Sequence, residues 1–180
     1  MLIKMNIFKF IFICFIIYVV YIYVLEPFIQ RLLYKPVYGV YENDSIKSII
    51  EHNENSFKIF MNGENKYIGG PVKTNTFSTS FMGGNVVFNF FNDRITMTQP
   101  NTMLIKVDND DPNSIDGNWK FMNEERIIHF KKGEIFDKNQ KIGTYDNNKI
   151  NIFGPSNQTI IYDFTIKNKQ LTLFLTFLKK

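Results

Sequence analysis

The fold of this chain is decided by residues 117–145, which read GNWKFMNEERIIHFKKGEIFDKNQKIGTY. Short runs of alternating apolar and polar residues are separated here by Gly, Lys, Asn and Asp, residues that are common in turns. Trp119 is the only tryptophan of the 180 residues, and it stands in the first of these runs. The pattern predicts an antiparallel β-meander whose core is closed at one end by Trp119.

The two runs that follow toward the C-terminus predict which side chains face this core. Successive side chains of a strand point to opposite faces, so alternate apolar residues mark the buried face. On this basis we predict two inward rows, Ile160, Tyr162, Phe164, Ile166 and Leu171, Leu173, Leu175, Phe177. Our candidate ligand-facing or core positions in the whole chain are Phe88, Phe90, Trp119, Tyr162 and Phe164.

Upstream, the same period of two predicts a first β-meander over residues 36–107. The acidic stretch 108–116, DNDDPNSID, is predicted as a solvated linker, and residues 117–180 form the second meander. Residues 45–51, SIKSIIE, are predicted as a short helical turn. The predicted strands are 37–41, 57–61, 74–81, 86–91, 95–99, 104–107, 118–122, 126–131, 134–137, 142–145, 149–153, 159–166 and 170–178.

Four landmarks recur in the same order in the two halves, which predicts an internal duplication. They pair GVY at 39–41 with GNW at 117–119, FMNGE at 60–64 with FKKGE at 130–134, VVFNF at 86–90 with IIYDF at 160–164, and ITM at 95–97 with LTL at 171–173. The alternative is that two β-meanders with the same biased composition look alike. The two halves form either one closed barrel or two small sheets side by side.

The second half resembles small bacterial lipocalin-like (calycin) β-barrel domains over residues 115–178. The resemblance is carried by Gly117-Asn118-Trp119, which reads G-x-W, by the F-x-x-G turn at 130–133 and by the G-x-Y at 143–145. It implies a β-barrel that binds a small apolar molecule or lipid. A full lipocalin has eight strands, so the resemblance also implies that a large ligand cup requires strands from the first half.

Composition supports an all-β class and argues against nucleic-acid binding. There is no alanine, whereas Phe (19) and Tyr (9) are abundant, and β-branched and aromatic residues favour strands. The net charge is +4, but from residue 36 onward 17 basic residues face 16 acidic ones. Such a balance lacks the basic surface that nucleic-acid readers use.

The N-terminus predicts a membrane anchor, with residues 1–35 forming the anchor and a juxtamembrane helix. Residues 10–25 carry no charge, and a helix over 7–25 is about 28 Å long, which spans a hydrocarbon core. Large residues at its end favour an uncleaved signal anchor over a cleaved signal peptide, and Ile13 before Cys14 disfavours lipoprotein processing.

A short tail with Lys4 and Lys9 predicts an extracytoplasmic domain, and an apolar stripe that includes Leu32 and Leu33 predicts the juxtamembrane helix.

No residue set in the sequence predicts catalysis, a metal or a cofactor. His52 and His129 are the only histidines, and alternation places His129 on the outer face. The acidic loop fails the EF-hand calcium pattern, because Pro112 stands at the fifth position and no Glu falls at the twelfth. We therefore predict a binding protein and not an enzyme.

Two functions remain open at this point. The first is a membrane-anchored extracytoplasmic lipocalin-like module for an apolar small molecule or lipid. The second is a protein-interaction domain, such as an envelope-assembly component or a membrane-tethered immunity protein, which would use an exposed sheet edge or aromatic surface.

Overall fold

The structure is a computed structural model that describes residues 7–26, 28–29, 35, 37–81, 83–99, 102–108, 111–155 and 158–180. The chain divides into two units between Pro36 and Val37. Lys4, Leu32 and Leu33, on which part of the anchor prediction depends, lie outside the described residues. So do residues 109 and 110 of the predicted linker.

The first unit contains the helix α1, Ile7–Val20, which continues as a π-helical segment, Tyr21–Leu25. Its described side chains are large and apolar, and Phe12, Phe15 and Tyr23 are among the most exposed. In the part of the chain that the structure describes, no helix combines the length and apolarity that a membrane span requires.

The second unit is all-β, as the sequence predicts. One turn of 3-10 helix, Asp44–Ile46, follows the first strand. The strands are β1 Gly39–Asn43, β2 Ser48–His52, β3 Phe57–Met61, β4 Glu64–Gly69, β5 Thr76–Phe81, β6 Gly84–Phe90, β7 Arg94–Thr98, β8 Met103–Lys106, β9 Gly117–Phe121, β10 Ile127–Lys131, β11 Glu134–Asp137, β12 Gln140–Tyr145, β13 Lys149–Phe153, β14 Thr159–Lys167 and β15 Gln170–Lys179.

Strands β8 to β15 form a closed eight-stranded antiparallel barrel. Each strand pairs with the next along the chain, from β8–β9 to β14–β15. The barrel closes because β15 also pairs with β8, with Leu171 opposite Leu104. Strand β8, which completes the barrel, thus precedes the acidic loop in the chain. Closure of the barrel leaves it without a sheet edge.

Strands β1 to β7 form a second, open sheet around the other half of β15. Its order is β4-β3-β2-β1-β15-β7-β6-β5. Leu175 of β15 lies opposite Met97 of β7, and Leu178 lies opposite Glu42 of β1. The ten-residue strand β15 therefore belongs to the barrel in its first half and to the open sheet in its second.

Each sheet encloses its own apolar core. The predicted inward row of β15 is buried throughout: Leu171 and Leu173 lie in the barrel core, and Leu175 and Phe177 in the core of the open sheet. The inward row of β14 packs as predicted, with Tyr162 contacting both cores. The largest fully buried side chains are Trp119, Tyr41, Phe57, Phe88 and Phe177.

The strand order fits the predicted duplication in three of its four landmarks. Counting from β1 and from β9 gives seven strands each, so 39–41, 86–90 and 95–97 fall on the first, sixth and seventh strands, as do their counterparts. The turn at 60–64 follows the third strand, whereas its counterpart at 130–134 follows the second. The duplication itself stays a prediction.

One local prediction was wrong, and one strand was not predicted. Residues 45–51 are not one helical turn, because the 3-10 turn ends at Ile46 and β2 begins at Ser48. Lys47 between them has a φ of +48°, a left-handed conformation that ends the turn. Strand β4, Glu64–Gly69, was not predicted, because it has only two adjacent apolar residues and no alternation.

Candidate functional site

The five candidate residues from the sequence do not meet in one pocket. Phe88 and Phe90 are buried in the core of the open sheet, and Trp119 is buried in the barrel core. Phe164 packs on the barrel core, and Tyr162 touches both cores. Tyr162 is thus the one candidate that lies at the boundary between the two sheets.

The pair Phe90-Phe91 divides between the two faces of the sheet, as alternation requires. Phe90 is 5% exposed, whereas Phe91 is 42% exposed. The Arg94 guanidinium lies 4.9 Å from the centre of the Phe91 ring, so a cation–π contact partly covers this exposed aromatic.

A cavity of about 210 Å³ lies at the junction of the two cores. The strands β3, β7, β14 and β15 and the 3-10 turn supply most of its wall. Its lining residues are Ile46, Met61, Met97, Gln99, Thr102, Ile160, Tyr162, Leu173 and Leu175. Two methionines give this wall adaptable, polarizable side chains.

The polar groups of this junction cavity are few. Burial raises the pKa of Tyr162, so its phenol is neutral and can donate or accept a hydrogen bond. The Thr102 hydroxyl donates to the Gln99 carbonyl oxygen at 2.6 Å. Within the described residues, neither the Tyr162 hydroxyl nor the Gln99 amide has a hydrogen-bond partner. The cavity therefore suits an apolar body with one hydrogen-bonding group.

The acidic loop is not a free linker but folds over a buried lysine. The Lys106 side chain has no exposed surface, and its ammonium donates to the carbonyl oxygens of Asp111, Ser114 and Asp116 at 2.7, 3.0 and 2.7 Å. Carbonyl oxygens that could have surrounded a metal cation thus surround an ammonium group. In the described part of the chain, no three His, Cys, Asp or Glu side chains converge as a metal site.

Asp116 fixes this loop to the barrel. Its carboxylate accepts hydrogen bonds from the Tyr145 hydroxyl and, at 2.9 Å, from the Lys132 backbone N–H. Burial, together with this hydrogen bond to Asp116, raises the pKa of Tyr145 to about 12. The contact therefore stabilises the neutral phenol at all physiological pH values.

His52 is a buried titratable residue that the sequence did not mark. It is 2% exposed, and its Nδ1 lies 2.9 Å from the Val37 carbonyl oxygen. The rings of Tyr38 and Phe90 each lie 5.1 Å from the imidazole. Burial lowers the pKa of His52, and backbone hydrogen bonds to Val37 and Val72 oppose that shift. Its neighbours include the Val37 carbonyl and the rings of Tyr38, Phe57 and Phe90, so a packing role accounts for these surroundings.

An open groove of about 600 Å³ lies where β14 and β1 diverge from β15. Asp163 binds Lys149 at 3.3 Å and accepts a hydrogen bond from the Thr176 hydroxyl. The Asn43 amide donates to the Thr176 carbonyl oxygen at 2.8 Å. Because these polar groups already bind one another, the groove is a weaker candidate than the junction cavity.

The fold and these sites define a class: an all-β protein with an eight-stranded antiparallel barrel that shares its last strand with an open sheet. Comparison with protein-family models, with curated proteins and with solved structures finds no match for this chain.

Proposed function

We propose that this protein is a membrane-anchored extracytoplasmic binding module that takes a small apolar molecule into the junction cavity. The observation that carries the proposal is the cavity itself, whose wall is mostly apolar and whose free polar groups are a phenol and an amide. Ligand pockets in proteins share this plan of an apolar wall with a few polar groups. The barrel also agrees with the calycin resemblance of residues 115–178.

The size of the cavity limits the ligand. An apolar cavity of about 150 Å³ in another protein admits benzene, and drug-sized ligands occupy about 300–1,000 Å³. At about 210 Å³, the junction cavity accommodates one substituted ring or a short acyl chain. The interior of the barrel is occupied by its own side chains, Trp119, Phe130, Ile135 and Ile150 among them, so the ligand binds beside the barrel core.

The ligand site is tested with toluene and 4-methylphenol, which share one ring and differ in a hydroxyl group. We expect both to bind the full chain, and 4-methylphenol to bind several-fold more tightly because its hydroxyl group pairs with Tyr162. Tyr162→Phe removes this preference. Met61→Trp fills the cavity and abolishes binding, whereas Met122→Trp, at an exposed position outside the cavity, leaves it intact. Equal binding by both tryptophan variants would place the ligand elsewhere.

The membrane anchor rests on the uncharged residues 10–25 and on the exposed apolar side chains of the helical segment. Two lysines at Phe15 and Ile16 would each cost about 3 kcal/mol at the centre of a bilayer. We expect the full chain to float with vesicles and to resist alkaline extraction, and the Phe15→Lys, Ile16→Lys double variant to be extracted. If both chains are extracted alike, the anchor is refuted.

A further inference from the structure

We propose that β4 and β5 form a docking site for one extended peptide strand of a partner protein. These are the two strands of the described residues that have a single neighbour: β4 pairs with β3, and β5 pairs with β6. Each of the other strands has a neighbour on both sides. This inference concerns the protein-interaction role and does not depend on the junction cavity.

The opening is the gap between the unpaired edges of β4 and β5. In the barrel, the corresponding gap is closed by the chain itself. Counted from β9, its fourth and fifth strands are β12 and β13, which pair with Gly143 opposite Ile152 and are joined by three residues, 146–148. The corresponding strands β4 and β5 are joined by six residues, 70–75, which include Gly70-Pro71. Val72 of this connection is 4% exposed and belongs to the core. The longer connection is packed inward, and the two edges stay apart.

The opening already has a floor made by inward side chains from both edges. The Thr79 hydroxyl of β5 donates to the Tyr67 hydroxyl oxygen of β4 at 3.3 Å. The Tyr67 ring lies 6.3 Å from the Phe77 ring and 6.5 Å from the Phe81 ring, centre to centre. These buried and partly buried side chains cover the core beneath, and what the opening offers is backbone.

The unpaired backbone of β4 and β5 determines what kind of ligand can bind. A row of N–H and C=O groups at strand spacing is satisfied by another extended backbone, as in peptide recognition by strand addition. The Phe90 N–H donates to the Asn75 carbonyl oxygen at 2.9 Å, so by the alternation of an antiparallel pair the odd residues of β5 bond to β6. Thr76, Ser78 and Ser80 consequently direct their backbone groups to the opening.

Side chains at the opening define the chemistry of the peptide. Strand β5 reads TFSTSF and has no charge, and the two charged residues of β4, Glu64 and Lys66, pair with each other. Edges that natural proteins protect usually carry charges, proline or a bulge. Strand β5 carries none of these in its described residues, whereas β4 carries the Glu64–Lys66 pair and a register shift opposite Ile59 and Phe60. Positions of the peptide above the Tyr67–Thr79 contact must be small, so the predicted ligand is an uncharged strand with small alternate residues.

A single strand fits this opening better than a second copy of the chain. Tyr67 of β4 and Thr79 of β5 meet across it, with their hydroxyl oxygens 3.3 Å apart. An inserted strand needs two strand spacings of about 4.8 Å each. A second folded sheet would bring its neighbouring strands and connections along with its edge strand. Strand β4, on the other side of the opening, would clash with them.

The test measures amide hydrogen exchange of the full chain with the peptide acetyl-TATGTAT-amide as probe. We expect exchange in Glu64–Gly69 and Thr76–Phe81 to slow about tenfold or more at a peptide concentration ten times the Kd. The matched control peptide has an N-methyl group at every residue and cannot donate a backbone hydrogen bond to either edge. Protection that the control peptide also produces, or that lies in other strands, overturns the proposal.

A variant separates edge pairing from folding. Ser78→Pro removes an N–H that faces the opening and leaves the hydrogen bonds to β6 in place, a position where sheets tolerate proline. We expect Ser78→Pro to lose the peptide-induced protection and Ser78→Ala to retain it, with both variants folded. Two results would refute the partner strand, because they would show that the edges are already occupied. One is slow amide exchange of β4 and β5 in the free chain. The other is a dimer that Ser78→Pro dissociates.

Discussion

The ammonium of Lys106 lies 5.5 Å from the centre of the Trp119 ring, and both side chains are fully buried at one end of the barrel. The Trp119 indole N–H donates to the Ile115 carbonyl oxygen at 2.7 Å. Lysine and tryptophan therefore hold the acidic loop from two adjacent strands, β8 and β9. A buried ammonium is stable only when hydrogen bonds replace its water, and here three loop carbonyls supply them.

Replacing Lys106 by Met keeps much of its volume and removes its charge. The carbonyls of Asp111, Ser114 and Asp116 lose their donor, so we expect the free energy of unfolding to fall by about 3 kcal/mol. Chemical denaturation measures this change. The control is Lys120→Met, whose ammonium pairs with the exposed Glu125 at 2.8 Å and whose loss costs about 0.5 kcal/mol or less. Equal effects at the two positions would contradict the role given to Lys106.

The sequence predicted the buried faces well and the closure of the barrel poorly. Alternation alone marks Leu171 and Leu173 as inward, because the period of a strand is a local property. That β8 completes the barrel depends on pairing between Leu104 and Leu171, which are far apart in sequence. Local patterns carry no information on such a partner, so residues 36–107 and 117–180 were predicted as two meanders, and the choice between one closed barrel and two small sheets stayed open.

The candidate site was harder to predict for the same reason. Tyr162 was marked by alternation, but Met61, Met97 and Gln99 come together only when two sheets share β15. The length of the β15 run was the available signal, because ten residues lie at the upper end of strand lengths in globular proteins. Similarly, SIKSIIE spaces Ile46, Ile49 and Ile50 as a helix would, and tertiary pairing with β1 and β3 overrides that spacing.

Tyr145→Phe tests the contact between the barrel and the loop. At neutral pH we expect a loss of about 1 kcal/mol, since one hydrogen bond to the Asp116 carboxylate disappears. The folded pKa is about 12, above the unfolded value near 10. The contribution is therefore present below pH 10 and is lost as pH rises through 12. Urea denaturation at pH 8 and pH 11 should show wild type and variant converging, and a constant difference would contradict the assignment.

His52 makes stability depend on pH in the opposite sense. Its folded pKa is lowered by burial, so the unfolded chain binds a proton more readily. The contribution of neutral His52 is fully present above the unfolded pKa of about 6.5 and declines as pH falls toward the folded pKa. We expect the free energy of unfolding to fall between about pH 7 and 5, and His52→Gln to flatten this slope. If His129→Gln, at an exposed position, flattens the slope equally, the effect belongs elsewhere.

Gly143 allows the close pairing of the neighbouring barrel strands β12 and β13. A Cβ atom at this position would lie 2.3 Å from the Asn151 carbonyl oxygen, which belongs to the neighbouring backbone and cannot rotate away. We therefore expect Gly143→Ala to force the two strands apart and to lower the free energy of unfolding by about 3 kcal/mol, as overpacking does at rigid sites. The matched control is Gly70→Ala, because a Cβ there meets nothing within 4 Å. Thermal and chemical denaturation of the two variants measure the difference, and a Gly143→Ala protein as stable as Gly70→Ala would mean that the β12–β13 pairing is looser than the structure shows.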